Sequence, residues 1–470
     1  MTDLPLTLQD AAKALRAKQV TSVELTTAML RKAKALNPEL GAFIVITEES
    51  AMAASADADA KFAAGIDLSP LQGIPFCTKD NIATYDAPTT ANSTVLDPAW
   101  GEGWDAPVVA RLRAAGGVHM GKTVLSEFAC GLPDVDKTFP IPQNPWDLRR
   151  SAAGSSSGTG IAVSAGLVYC GLGTDTGGSI RAPGSFNGHS AIKATFGRVP
   201  KSGCVPLGYS LDNIGPHGRS AWDCAAMLGV IAGYDASDPS AANEPIDNYL
   251  AALDGNVKGL RIGLPMDYFF ENPGPDPDTK AAVLAAVDAL RDAGAVVTEI
   301  SLPYAQQAKE ATTIGWGADA FAYHRDDLVK DRYAYGKYTW QTLVRGAFYM
   351  GSDYVQAARV RTYWRRMVAD VMKGLDVIIT PTSAVSSPIR ADMDTESFML
   401  GPGFTSQFNA TGQPALSIPV GFSSDTHMPL SMQIVGKPFA EATVFKVADA
   451  YQRGTDWHLQ VPPIAAEVMA

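Results

Sequence analysis

Between Gly154 and Gly184 the chain reads GSSSGTGIAVSAGLVYCGLGTDTGGSIRAPG, which offers two serine sites wrapped in glycine, Ser155 to Ser157 and Ser179. Such residues suit nucleophilic catalysis, in which a serine hydroxyl attacks a carbonyl once a base has taken its proton. Gly177 and Gly178 ahead of Ser179 let the backbone turn tightly and present bare amide N–H groups. Several such groups near a helix start can hold an anion, or the oxyanion of a tetrahedral intermediate. Gly/Ser-rich stretches are commonly linkers. Here Ile161, Ala162, Val163, Leu167 and Val168 interleave the stretch and need a core. Burying so much glycine costs chain entropy, so the segment calls for another explanation.

The serine needs a base. Histidine is the usual one, yet His119, His189, His217, His324, His427 and His458 stand in no distinctive context. Residues 154–158 do match the GxSxG elbow of α/β-hydrolase esterases, with Ser156 as nucleophile and His458 as a late histidine. That elbow follows a strand directly, whereas Pro142 and Pro145 mark the approach to Gly154 as loop, so this reading ranks low. Ser190 and Lys193 match SxxK without its companion motifs, a chance spacing. Lysine is the other route. Lys79 ends the apolar run Ile74-Pro75-Phe76-Cys77-Thr78 ahead of an Asp80-Asn81 loop. Burial there would lower its pKa and leave a neutral amine as proton acceptor. On spacing alone, a lysine snorkelling from a strand end is the simpler account.

The elements that must position these groups alternate. Thr7 to Lys18 and Thr21 to Ala35 read as amphipathic helices, the second capped by Thr21 or Ser22 with Glu24 in its first turn. Ala42 to Thr47 is a strand, Ser50 to Ala64 an Ala-rich helix, and Ile74 to Lys79 a second strand. A helix through Val108 to Leu112 leads to the strand Val118 to Met120, and the alternation runs on to Phe196. This pattern predicts an α/β fold, a sheet with crossover helices. Later, strands Leu260 to Leu264 and Val296 to Ile300 flank a helix capped by Asp278, with Val283, Val287 and Leu290 on one face and Gly294 as its stop. Asp353 to Lys373 is a long helix with Val360, Trp364, Met367 and Val371 on one side. Trp316 to Trp364 is dense in aromatic residues, expected mainly to pack helices, with a lesser share over an apolar pocket. Asp376 to Pro381, Ala415 to Val420 and Leu430 to Val435 return to the sheet, and the helix Ala440 to Arg453 closes it.

With 470 residues, 46% hydrophobic and 19% charged, the composition is that of a globular chain. No linker-like tract divides it, which points to one large unit. The net charge of −11 and the lack of a basic run argue against a direct nucleic-acid surface. Five cysteines without CxxC spacing fit a reduced, cytoplasmic setting. Residues 1–30 lack a signal-peptide pattern, and the apolar stretch Thr159 to Gly173 is too short to span a bilayer. No HExxH or Cys/His cluster suggests a metal, and no cofactor is expected.

GIPFCTKDN (73–81), AGSSSGTG (153–160) and GTDTGGSIRAP (173–183), taken together, resemble the amidase signature family. The intervals match as well: 76 residues from Lys79 to Ser155 and 24 from Ser155 to Ser179. Further likenesses are PVVARL, GKTVLSEFACG, NPWD, LDNIGPHGRS, GQPALSIPVGF and LSMQIVGKPFAEAT, so the resemblance covers nearly the whole chain. It implies a single domain over 1–470, a central mixed twisted sheet covered by helices on both faces. Its core motifs lie at 73–220, and a variable, aromatic-rich helical region at about 310–374. It implies Ser179 as nucleophile, Ser155 as a bridging serine after a cis peptide, and Lys79 as base. An oxyanion hole is implied at the amides of Thr176, Gly177, Gly178 and Ser179. Asp175 and Arg181 are expected to pair and hold the loop, and Ser156 to support Lys79. Ser157 and Thr159 depart from the usual GGSSGGS wording, and His189 to Ala194 from the usual VVGLKP-like run, without removing a reactive group.

The expected activity is hydrolysis of carboxamide C–N bonds through a serine acyl-enzyme. The aromatic middle region and the lack of an evident charge clamp lean it toward aryl amides or carbamates (urethanes). The alternative is the glutaminase (A) subunit of a tRNA-dependent amidotransferase. A small-molecule amide or carbamate is the expected partner, with no nucleic acid, no membrane, and a monomer or homodimer.

Overall fold

Strands buried on both faces read as nearly continuous apolar runs instead of alternating ones. PFCTK in β2 (Pro75–Lys79), VHMGKT in β3 (Val118–Thr123) and CGLGTD in β4 (Cys170–Asp175) are buried at every position. The same holds for β5 (Ser190–Lys193), β6 (Asn213–Gly218), β9 (Val377–Pro381) and β11 (Pro429–Gly436). The edge strands β1 (Phe43–Ile46) and β8 (Val296–Ile300) are more exposed; β7 (Arg261–Pro265) and β10 (Ala415–Phe422) complete the set. In this computed structural model, which describes residues 4–394 and 403–467, the eleven strands form one sheet. Its order is β1-β3-β2-β4-β6-β5-β10-β11-β9-β7-β8. β2 runs parallel to β3 and β4, β7 runs parallel to β8 and β9, and the remaining neighbours are antiparallel. The sheet is mixed and flanked by helices, as expected from the sequence.

Parallel pairing of β2 and β4, with Thr78 opposite Leu172, brings Lys79 at the end of one strand beside Thr174 and Asp175 at the end of the other. The helices Ser157–Ser164 and Arg181–Asn187 begin just beyond Ser155 and Ser179. Both serine segments therefore meet at the carboxyl ends of β2 and β4, where open α/β sheets leave a crevice.

Local chemistry sets most boundaries. Thr21 accepts from Glu24 N and Glu24 reaches back to Thr21 N, a full capping box for the helix Ser22–Leu40. For the helix Pro277–Asp292 the cap is Asp276, not Asp278. Asp276 accepts from Thr279 N at 2.7 Å with Pro277 in first position, while Asp278 turns to Ser424. On the helix Gly351–Met372 the buried face is Ala357, Trp364, Val368 and Met372; Val360, Met367 and Val371 flank it. Of the aromatic region, Trp316, Phe321, Tyr335 and Trp340 pack a second core with Leu125, Phe128 and Leu207, and Trp364 joins the main core. Tyr323, Tyr333, Phe348, Tyr354 and Tyr363 are exposed. Most of those rings thus pack helices or face solvent. Among the described residues no helix is long and apolar enough to cross a membrane.

Candidate active site

Lys79 is fully buried at the end of β2. Its Nζ stands 2.7 Å from Ser155 Oγ and 2.6 Å from Thr174 Oγ1. Burial pushes the amine down from 10.5 to about 7, and the partly compensating charges of Cys204, Asp175 and Asp212 do not restore it. A lysine in that range supplies a neutral amine at physiological pH. The peptide bond between Gly154 and Ser155 is cis. Ser156 N donates to Ser179 O at 3.2 Å, which ties the two serine segments together. Ser179 is partly exposed while Ser155 is buried, so of the two only Ser179 can meet a substrate readily.

Ser156 does not touch Lys79. Its Oγ donates to Thr174 O at 3.2 Å and accepts from Thr174 N at 3.1 Å, so it holds the residue that holds the lysine. Gly173 makes room for this: a Cβ there would meet Ser156 Oγ at 2.8 Å and His217 Nε2 at 2.5 Å. Thr174 is thus the direct support, assisted by Asn81 Nδ2 at 3.3 Å. The same geometry removes the esterase alternative. Ser156 is fully buried with both bonds on Thr174, and no strand leads into Gly154. Ser190 and Lys193 lie in β5, where Lys193 donates to the carbonyls of Ala194 and Gln413.

Asp175 organises the turn before Ser179. Its carboxylate accepts from Gly178 N at 2.8 Å, Ile180 N at 3.2 Å and Asn409 Nδ2 at 2.8 Å. Arg181 contacts both of its oxygens at 3.0 Å. Burial raises the Asp175 pKa, but Arg181 and these bonds prevail and hold it at about 2. Arg181 is fully buried, with further bonds to Thr405 O, Gln433 Oε1 and Asn409 Oδ1. Gly178 therefore leaves the expected oxyanion set, because its N–H already serves Asp175. The amides of Thr176, Gly177 and Ser179 have no acceptor among the described residues.

Around this turn, Thr176 Oγ1 donates to Asp212 Oδ1 at 2.5 Å, and Asp212 also accepts from Leu207 N and Gly208 N. A Cβ at Gly208 would meet the Cβ of Trp316 at 2.7 Å and Thr176 at 3.0 Å, so this turn packs closely against the helix Ala305–Asp331 that carries Trp316. A cavity of about 200 Å³ borders Thr174 on another side, lined also by Lys201, Cys204, Tyr209, Asp212 and Asp238; Ser179 is not among its walls. Sequence reasoning missed Thr174, Thr405, Asn409 and Gln433. Thr174 sits inside a motif already singled out; the other three lie more than 200 residues downstream, with no local signal.

The model of the family Amidase matches residues 24–445, so the chain belongs to the amidase family. It is 40% identical to the A subunit of the glutamyl-tRNA(Gln) amidotransferase of Roseiflexus sp. (strain RS-1), over 98% of this chain and 99% of that one. Among solved structures it is similar to the native peptide amidase of Stenotrophomonas maltophilia (TM-score 0.83, 30% identity, 96% of this chain and 98% of that one). It is also similar to a chain of a vestigial protein complex that bears on the origins of an s-triazine catabolic enzyme (TM-score 0.89, 27% identity, 95% and 98%). The chain is an amide-hydrolysing enzyme of this family. The relatives favour the glutaminase alternative over the aryl amide or carbamate lean.

Proposed function

For this amidase-family chain we propose hydrolysis of a primary carboxamide, the side-chain amide of glutamine, through an acyl-enzyme on Ser179. Ammonia would then pass to a partner protein. The observation that carries the chemistry is the buried Lys79 amine, at about 7, set 2.7 Å from Ser155 Oγ. The substrate rests on 40% identity to the glutamyl-tRNA(Gln) amidotransferase relative over nearly the full length of both chains.

Neutral Lys79 takes the proton of Ser155 Oγ, which takes that of Ser179 Oγ as the latter attacks the amide carbon. The developing oxyanion faces the free amides of Thr176, Gly177 and Ser179. The relay returns the proton to the leaving nitrogen, ammonia departs, and water cleaves the acyl-enzyme by the same path reversed. Burial of Lys79 keeps the base neutral, while Thr174 and Asn81 hold it in place.

A second reading, a stand-alone amidase for aryl amides or carbamates, draws support from Trp316, whose Cβ packs against Gly208 beside Thr176. The test incubates the purified chain with glutamine, a nitroanilide and a phenyl carbamate, with and without a candidate partner, and measures ammonia, aniline and intact mass. Ammonia from glutamine that rises with the partner and vanishes in Ser179→Ala supports the first reading. Partner-independent release of aniline, with glutamine untouched, replaces it by the second.

A further inference from the structure

Thr405 stands at the start of the short helix Ser406–Thr411, yet its side chain makes no cap hydrogen bond to that helix. A threonine there ordinarily accepts from a first-turn amide. Instead Thr405 Oγ1 donates to the Gly177 carbonyl at 2.7 Å, across 228 residues of sequence. The other end of the same peptide is held too, since Gly178 N–H donates to Asp175 Oδ1 at 2.8 Å. A trans peptide is planar, so pinning its oxygen on one side and its N–H on the other fixes the plane. The peptides on either side carry the amides of Gly177 and Ser179, and their directions follow from it. Gly178 lies at φ +136, and a Cβ there would run into Thr405 Oγ1, so only glycine lets the two segments close. Arg181 completes the circuit, with Nη1 2.9 Å from Thr405 O and its other nitrogens on Asp175.

We propose that Thr405 is a positioning residue for the oxyanion site: by holding the Gly177 carbonyl it aims the amides of Gly177 and Ser179 at the oxygen of the reacting carbonyl. This rests on the reading of Ser179 as nucleophile. A helix-start threonine that forgoes its local cap for a distant carbonyl breaks a local rule where function demands it. Removing an oxyanion donor outright slows reactions by about 10²- to 10³-fold. Misaiming the donors while leaving them present is expected to slow reaction by ~10- to 100-fold, below that ceiling.

The test uses a fluorophosphonate, which needs no knowledge of the natural substrate. Ser179 Oγ bonds to phosphorus, the P–F bond breaks, fluoride leaves, and the hydroxyl proton passes through Ser155 to Lys79. The phosphoryl oxygen meets the same amides as a substrate oxyanion. Rates of adduct formation by intact mass are compared for wild type, Thr405→Val and Thr405→Ser, with their melting midpoints. The valine variant should react ~10- to 100-fold slower and the serine variant within about threefold of wild type, both with the acid limb of the pH profile unmoved. Thr405→Ala stands in if the valine variant does not fold. Valine or alanine reacting within about threefold of wild type, or serine as slow as valine, overturns the proposal. Wild type that forms no Ser179 adduct at all instead sinks the nucleophile assignment and this inference with it.

Discussion

Lys79→Met should make the protein more stable while removing its activity. The Lys79 amine lies at about 7 in the fold against 10.5 for an ordinary lysine. Between those values the unfolded chain holds a proton that the folded one lacks, so stability rises with pH across the window. Below about pH 7 both states are protonated and the full cost of burying the charge applies, about 5 kcal/mol. Methionine of similar length removes that cost. It also forgoes the contacts of Nζ with Ser155 and Thr174, about 1 kcal/mol each. A net gain of about 3 kcal/mol is expected below pH 7, shrinking toward zero and then reversing as pH approaches 10.5. Denaturant midpoints at pH 6, 7, 8.5 and 10 provide the assay, read as variant minus wild type at equal slope. Lys193, also lowered to about 7 by burial, adds its own pH dependence to both proteins and cancels in the difference. A variant no more stable than wild type at pH 7, or a difference that stays flat from pH 6 to 10, would refute the buried-base argument. Turnover should fall by at least the 10²- to 10⁴-fold, roughly, that a general base supplies.

The same amine predicts that kcat/KM climbs with pH through about 7, as Lys79 loses its proton in the free enzyme; a profile flat from pH 5.5 to 8.5 contradicts this. Asp175→Asn leaves Arg181 buried without its carboxylate and should cost roughly 3–5 kcal/mol, seen as a lower denaturant midpoint at pH 7. Because Asp175 is held at about 2, below the ordinary 3.8, its contribution of about 2 kcal/mol is present above pH 4 and lost as pH falls toward 2. The variant should accordingly narrow the gap to wild type by up to about 2 kcal/mol in acid, and a gap that persists unchanged at pH 2.5 counts against the ion pair.

What was legible in the chain followed from local signals. β2 and β3 read as strands because their residues form near-continuous buried runs, and the cap at Thr21 because Thr and Glu stand three apart. Asp278 reads as the cap in place of Asp276 because two aspartates flank Pro277, and which one caps depends on Ser424, which sits 146 residues from Asp278. The buried face of Gly351–Met372 shifted because its Trp364 inserts between elements that periodicity alone does not orient. At the site, Gly178 looked like a donor because a glycine before the serine usually offers a bare amide. Its commitment to Asp175 depends on a carboxylate three residues back and on Thr405 far downstream. Thr405, Asn409 and Gln433 reach the site through tertiary contacts with Arg181, Asp175 and Gly177, and no spacing within their own segments announces it.

Burial by itself does not make a base, and the two buried lysines show why. Lys79 and Lys193 are both fully buried and both lowered to about 7. Lys193 points at the carbonyls of Ala194 and Gln413, groups that only accept, so its N–H bonds are used and its lone pair meets no proton. Lys79 meets two hydroxyls, Ser155 and Thr174, each able to donate or accept. The neutral amine can therefore give a hydrogen bond to Thr174 and receive the proton of Ser155. Desolvation sets the pKa of both lysines, but only Lys79 stands beside a hydroxyl whose proton it could accept.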